Sequence, residues 1–329
     1  MSSKRINLAS ARLGAKAVFS TDDFFADMSR LIDDAEPVFI DGKFDDHGKW
    51  MDGWESRRKR APGYDFCVVK LAARTRIQDI EIDTRHFTGN FPPAASVQGC
   101  DSAEDIPADD VQWTELTGVR ELNGDDQLLV ACEQQQAFTH VRLNIYPDGG
   151  VARLRVYGQP DIDWRDMDAS QPLDLAASLN GGIALDCNDE HYGTINNLLA
   201  PGRGVNMGDG WETRRRRKPG HDWVIVRLGH AGRLCNVEVD TAHFKGNFPE
   251  QCSLQGIYLP DAAENSLAAQ SLYWQQLMPG QKLQADHIHS FELASDQPMV
   301  NYVRFNIFPD GGVSRLRLFG NIESGSPRR

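Results

Sequence analysis

The sequence contains a long internal repeat, in which a segment of the first half returns 157 residues later. Residues 53–99 align with residues 210–256 without a gap, and 24 of these 47 positions are identical. A second block, 141–158, returns at 303–320 with 13 of 18 positions identical. A repeat of this length is a whole domain and not one turn of a solenoid. We therefore expect two homologous domains, at 1–160 and 173–329, joined by a polar linker at 161–172.

Charge and hydropathy argue against two classes of function. Lys and Arg number 35 against 47 Asp and Glu, which gives a net charge of −12. An acidic chain is poorly suited to bind nucleic acid or an anionic membrane. No run of apolar residues approaches the roughly 18 that a membrane helix needs, and the first residues lack the apolar core of a signal peptide. We expect a cytoplasmic protein that acts on a small molecule, with no nucleic acid and no membrane as partner.

Alternation of apolar and polar residues predicts strands at 65–72, 76–84, 140–147 and 151–158. The Asp-Gly-Gly sequence between the last two predicts a tight hairpin. An apolar stripe predicts one helix, Thr21–Ile32, with Thr21 as its N-cap. Many short strands and little helix predict an all-β fold, a tandem repeat of two jelly-roll β-sandwich domains.

The sequence GWESRRKR clusters arginines directly after a tryptophan and a glutamate. A guanidinium group forms a planar, bidentate pair with a carboxylate. We expect Glu55 to hold Arg57 and Arg58 in place and Trp54 to shield them from water, so that they bind a small anionic substrate. A solvated basic surface is the alternative for the outer members of the run. The second copy has the same set: Trp211, Glu212, Arg214 and Arg215.

A strand that ends at Asp83 is followed by a turn containing His86 and Asn90. His86 and its counterpart His243 are the histidines that have a histidine opposite them in the repeat, and histidine is a common general acid or base near neutral pH. The alternative is a purely structural turn, with the histidine packed beneath it. The second copy of this segment carries Asp240, His243 and Asn247.

Further polar residues follow on the predicted strands. Gln98 and Gln255 each precede a glycine, and an amide that both donates and accepts would suit a urea-like group. Arg142 and Asn144 alternate with apolar residues, as do Arg304 and Asn306. We expect these last four to project from the face opposite the core as ordinary outward-facing polar residues.

Together, GWE[ST]RR, DTxHFxGN, SxQG and NI[YF]PDGGVxRLR resemble the allantoicase family, and the resemblance covers essentially the whole chain in both halves. It implies an allantoate amidinohydrolase, which hydrolyses allantoate to (S)-ureidoglycolate and urea in allantoin and purine degradation. It also implies jelly-roll domains of the galactose-binding-like kind and a homo-oligomer.

The chemistry of allantoate suggests roles for the shared residues. Release of urea requires a proton on the leaving nitrogen, water at the α-carbon and contacts to a carboxylate and two ureido groups. We expect His86 or His243 as the acid or base and the shared arginines as the carboxylate site. The orienting or second carboxylates are Glu55, Glu212, Asp83 and Asp240, and the ureido contacts are Asn90, Gln98, Asn247 and Gln255.

The sequence leaves two questions open. Asp83 and His86 could supply ligands to a divalent metal, although there is no HxH or HExxH motif. A non-catalytic tandem module that binds a carbohydrate or another small ligand is one alternative function, and an enzyme acting on ureidoglycolate is another. The wealth of Arg, Glu, Asp and His in the shared segments favours an enzyme for a small polar anion.

Overall fold

A computed structural model describes residues 5–168 and 170–322. These form two compact units, residues 5–162 and the described residues from 163 onward, called here the first and second unit. Strands dominate both units, and each unit is a jelly-roll β-sandwich, so the all-β tandem fold is confirmed. Within the described residues, no helix is long and apolar enough to cross a membrane.

The first unit contains two short 3-10 helices, Ala11–Leu13 and Met28–Ile32, between its strands. The strands are β1 (Ile6–Asn7), β2 (Lys16–Ser20), β3 (Phe44–Asp45), β4 (Gly48–Lys49), β5 (Trp54–Glu55), β6 (Asp65–Asp83), β7 (Ala94–Cys100), β8 (Thr114–Glu115), β9 (Arg120–Glu121), β10 (Gln127–Ala131), β11 (Ala137–Tyr146), β12 (Gly150–Val151) and β13 (Arg153–Pro160).

The described part of the second unit has ten strands and one short α-helix, α1 (Leu267–Gln270). Its strands are β14 (Leu173–Asp174), β15 (Ile183–Cys187), β16 (Trp211–Glu212), β17 (Asp222–Asp240), β18 (Gln251–Ile257), β19 (Gln275–Lys282), β20 (Ile288–Glu292), β21 (Met299–Phe308), β22 (Gly312–Val313) and β23 (Arg315–Ile322). Its 3-10 helices are Ser178–Asn180, Ile195–Leu199, Met207–Asp209, Glu264–Ser266 and Ser271–Tyr273.

One long strand takes part in both layers of each sandwich. In the first unit β6, 19 residues long, lies between β2 and β11 near Lys70 and between β13 and β10 near Ile82. In the second unit β17 pairs in the same way with β15, β21, β23 and β20. The two strands predicted at 65–72 and 76–84 are therefore one continuous strand.

The predicted hairpin at Asp-Gly-Gly is wrong. Ala137 of β11 and Gln159 of β13 both pair with Arg76, so β11 and β13 lie on opposite edges of β6. The connecting loop crosses between these edges and holds the GWE segment instead. The Asp148 carboxylate accepts the backbone N–H of Lys59 at 2.8 Å, and β12 pairs with β5.

The predicted helix at Thr21–Ile32 is also wrong, since only its last residues form a 3-10 helix, which Asp27 caps. The chain before it runs beside β5, where Ala26 forms an antiparallel bridge with Glu55. The Asp22 carbonyl accepts the indole N–H of Trp54 at 2.9 Å. Backbone groups that would form the first helical turn thus bond to the GWE segment.

The core beneath these motifs is closely packed around one phenylalanine. Phe87 is fully buried and clusters with two other buried residues, Met51 and Ala152. A Cβ atom added to Gly150 would lie 2.0 Å from Cε1 of the Phe87 ring, and Phe244 lies equally close to Gly312 in the second unit. Glycine is thus required here by close approach and not by its backbone angle.

We expect Gly150→Ala to lower the free energy of unfolding by about 1–3 kcal/mol, because the buried Phe87 ring has little room to move away from an added methyl group. Urea titration followed by circular dichroism measures this change. Gly89→Ala is the matched control, since a Cβ atom added there would have no atom beyond its chain neighbours within 4 Å. Equal stability of the two variants would contradict the packing argument.

Candidate active site

Three segments that are distant in the sequence meet beside the C-terminal end of the long strand in each unit. In the first unit the backbone N–H of Gly150 donates to the Asn90 carbonyl at 2.8 Å, and that of Ala152 donates to the Asp83 carbonyl at 2.8 Å. The second unit has the same two contacts, from Gly312 to Asn247 and from Ser314 to Asp240. The GWE segment, the turn after the strand and the PDGG loop therefore form one assembly.

A glutamate and an asparagine pair within this assembly. Nδ2 of Asn90 donates to Oε1 of Glu55 at 2.7 Å, and Asn247 donates to Glu212 in the same way. Burial raises the pKa of Glu55, and the hydrogen bond from Asn90 offsets only part of that effect. Glu55 is partly exposed, so solvent or a ligand can reach its carboxyl.

The histidine of the turn adopts a left-handed backbone conformation in both units, with φ of 69° at His86 and 70° at His243. This region costs a residue other than glycine about 1 kcal/mol or more. An aspartate supports it each time, since the histidine N–H donates to Oδ1 of Asp125 or Asp286 at 2.8 Å.

The ring of each histidine has a defined orientation. Nε2 of His86 lies 3.0 Å from the Pro37 carbonyl oxygen, and Nε2 of His243 lies 2.8 Å from that of Gly204. A carbonyl oxygen only accepts, so Nε2 carries the proton. In the neutral ring Nδ1 is then the free acceptor. Both histidines are partly exposed, so Nδ1 is the atom suited to act as a base.

The aspartates that precede the histidines are buried and paired. Asp83 has no exposed surface, and Nε of Arg85 donates to its Oδ2 at 2.9 Å. Asp240 is paired with Arg203, whose Nε lies 3.1 Å from Oδ2. The repeat has Ala242 opposite Arg85, so a different loop supplies the arginine in the second unit. A buried carboxylate requires a cationic partner of this kind. Because both aspartates are buried and paired, they are suited to orient the turn and not to contact a substrate directly.

The GWE arginines are not where the sequence predicts. Arg57 is 62% exposed and pairs with Asp22, from Nη2 to Oδ2 at 2.6 Å, instead of with Glu55. Trp54 is fully buried and does not shield this guanidinium. Arg214 likewise donates to His191 and not to Glu212. The indole of Trp211 is buried, and the next arginines, Arg58 and Arg215, are exposed.

Gln98 and Gln255 lie on strands β7 and β18. Among the described residues, no hydrogen bond joins either of them to Glu55, Glu212 or the histidines of the turns. Oε1 of Gln98 accepts from Nη2 of Arg142 at 2.5 Å and from Nδ2 of Asn144 at 3.2 Å. Asn144 is 1% exposed and Arg304 3% exposed. The expected direction, away from the core, is right, but Asn144, Arg304 and Asn306 are buried there and are not ordinary exposed polar residues. Their signal in the sequence was that both halves retain the same polar residues.

The described residues include no group of three or more His, Cys, Asp or Glu side chains placed to hold a metal ion. Of the two ligands considered from the sequence, Asp83 is committed to Arg85, whereas His86 binds a carbonyl oxygen through Nε2 and keeps Nδ1 free.

The chain is similar to known proteins over almost its whole length. The sequence profile of the allantoicase repeat matches residues 6–161 and 173–323. The chain belongs to the allantoicase family. It is 57% identical to a probable allantoicase of Photobacterium profundum, over 96% of each chain, and 54% identical to one of Ralstonia nicotianae, over 96% of this chain and 95% of the relative. The crystal structure of allantoicase from Saccharomyces cerevisiae superposes with a TM-score of 0.83 at 34% identity, over 96% of this chain and 93% of the yeast chain.

The raised pKa of Glu55 predicts a pH-dependent effect of Glu55→Gln in this allantoicase-family protein. A carboxyl whose pKa is higher in the folded than in the unfolded state contributes to the free energy of unfolding. That contribution is fully present below the unfolded pKa, 4.5, and is lost as the pH rises through the folded pKa. The glutamine variant lacks this loss and keeps an oxygen that can accept from Asn90. We expect its stability relative to the wild type to be greater at about pH 8 than at about pH 4. Urea unfolding at both pH values tests this, and a difference that does not change with pH would contradict it.

Proposed function

We propose that this chain hydrolyses allantoate to (S)-ureidoglycolate and urea. The observation that carries the proposal is the duplicated centre, a Glu–Asn pair beside a left-handed histidine, within two allantoicase repeats. Allantoate is a carboxylate whose α-carbon bears two ureido groups. A carboxyl whose pKa is raised by burial, as at Glu55, and an imidazole with a free nitrogen are suited to be the acid and base that its hydrolysis needs.

In the proposed reaction, water forms a C–O bond to the α-carbon while the C–N bond to one ureido group breaks. Nδ1 of His86 or His243 takes the proton from water, and the carboxyl of Glu55 or Glu212 gives a proton to the leaving nitrogen. The products are urea and ureidoglycolate, whose new hydroxyl comes from water. Asp83 and Asp240 keep the turn in position through their arginine pairs.

The proposed substrate contacts come from the GWE segment and from the turn after the long strand. Asn90 and Asn247 are proposed to bind a ureido group with the amide atoms that Glu55 and Glu212 leave free. The substrate carboxylate is assigned to the guanidinium groups that follow these glutamates, whose members are Arg57, Arg58, Arg214 and Arg215. Trp54 and Trp211, both buried, support these segments from below.

We further propose that the protein is a cytoplasmic homo-oligomer. All six of its cysteines are free thiols, and thiols persist in a reducing compartment. The family resemblance supports the oligomer, and sedimentation would measure it.

We expect His86→Asn or His243→Asn to lower urea release from allantoate by about 100-fold or more, because proton transfer contributes 10²–10⁴ to such rates. Each variant is assayed separately, with its fold checked by circular dichroism, and the difference between them identifies the catalytic unit. His47→Asn is the matched control, since His47 is exposed and lies outside the turn.

Full turnover in both turn variants would contradict the acid–base assignment. Urea release by the wild type from ureidoglycolate and not from allantoate would instead identify the alternative enzyme. Release from neither substrate would favour a binding module.

A further inference from the structure

Four polar side chains that both halves retain lie side by side on β7 and β11. Arg142 is opposite Gln98, and Asn144 is opposite Ser96. Their neighbours along the strands, such as Val97 and Leu143, are fully buried in the core, so the four side chains project from the other face. We call Ser96, Gln98, Arg142 and Asn144 the outer-face cluster. Its copy in the second unit is Ser253, Gln255, Arg304 and Asn306.

Arg142 has the surroundings of an anion-binding arginine. Its guanidinium carbon lies 5.1 Å from the ring centre of Phe66 and 4.6 Å from that of Trp113. Nε and Nη2 both donate to Oε1 of Gln98. Among the described residues no carboxylate forms an ion pair with it, and none accepts a hydrogen bond from Nη1. The aromatic rings and Gln98 hold the Arg142 guanidinium in place, and its Nη1 is available to donate to the carboxylate of a ligand.

Asn144 supplies the complementary group. Nδ2 donates to Oγ of Ser96 at 3.1 Å and to Oε1 of Gln98 at 3.2 Å. Oδ1 is buried and accepts no hydrogen bond from any residue that the structure describes. A buried acceptor without a donor is unfavourable by about 1–3 kcal/mol, and the N–H of a ligand would remove that cost.

The copy in the second unit is closed. Oδ1 of Asn306 accepts from Nε of Arg304 at 2.8 Å and from Nε2 of His221 at 3.2 Å. Nη1 of Arg304 donates to Oγ of Ser271 at 2.6 Å, and Arg304 is 3% exposed. Protein groups therefore occupy the positions that are left open in the first unit.

One substitution contributes to this difference. Tyr64 stands in the repeat where the second unit has His221. Tyr64 is 40% exposed and forms no hydrogen bond to a described residue, so it supplies no donor to Asn144. Its ring lies 5.1 Å from that of Tyr146, at the edge of the cluster.

We propose that the outer-face cluster of the first unit binds a small carboxylate that carries a ureido or amide group. The carboxylate lies on Nη1 of Arg142, and an N–H of the ureido group donates to Oδ1 of Asn144. Nη2 of Arg142 and Nδ2 of Asn144 both donate to Oε1 of Gln98, at 2.5 Å and 3.2 Å, so the two side chains are close enough to contact one small ligand. The choice of this ligand class rests on the proposed function, whereas the polar site itself does not.

Isothermal titration of the full-length protein with N-carbamoylglycine tests the proposal. This probe has one ureido group and one carboxylate, and it lacks the second ureido group that would leave as urea. We expect Arg142→Gln to remove one equivalent of binding, and Arg142→Lys to weaken it about tenfold, because lysine cannot form the guanidinium fork. Arg304→Lys in the closed copy is the matched control and should bind as the wild type does. Methylurea and glycolate, each with half of the probe, should bind more weakly.

Melting curves show whether each variant is folded, and Arg142→Lys provides the test if Arg142→Gln unfolds. Unchanged binding in a folded Arg142 variant, no binding to the wild type, or an equal loss in Arg304→Lys would overturn the proposal. Allantoate turnover is measured on the same samples. Turnover without Arg142-dependent binding overturns this inference alone, whereas Arg142-dependent binding without turnover overturns only the proposed hydrolysis.

Discussion

The pairing of one long strand with partners on both of its edges fixes the geometry of each unit. Because β6 belongs to both layers, its two ends carry different polar groups on one rigid element. Asp83 at one end starts the turn that presents His86, and Phe66 near the other end lies under Arg142. A change of register along β6 would invert the faces of its side chains and disturb both sites together.

The two units solve the same electrostatic problem with different residues. Asp83 and Asp240 are buried, and a buried carboxylate needs a cation nearby. Arg85 meets this need from the turn itself, and Arg203 meets it from a neighbouring loop. The outer-face clusters follow the same pattern, since their four residues are retained while the residue beside them changes from Tyr64 to His221. Duplication has thus kept the polar centres and allowed their surroundings to diverge.

Local patterns predicted the features that depend on neighbouring residues. Alternation along β11 and β13 gave the strands, and the retained GWE and FxGN segments indicated the residues of the candidate centre. The same patterns failed where a distant partner decides the structure. The acidic residues after Thr21 suggest a helical first turn, but Asp22 bonds to Trp54 and Arg57. The glycines of the PDGG loop suggest a hairpin, but β6 separates the two strands.

The sequence by itself determined that the chain has two copies of one all-β domain, because periodicity and internal identity are properties of the order of residues. It also indicated the family, through motifs whose residues are close together in the chain. Only the tertiary structure decided which partner each polar group has. Glu55 bonds to Asn90 and Arg57 to Asp22, and Arg142 lies against Trp113. These pairs are chosen by the burial of charge and by strand pairing between distant segments, which no local pattern records.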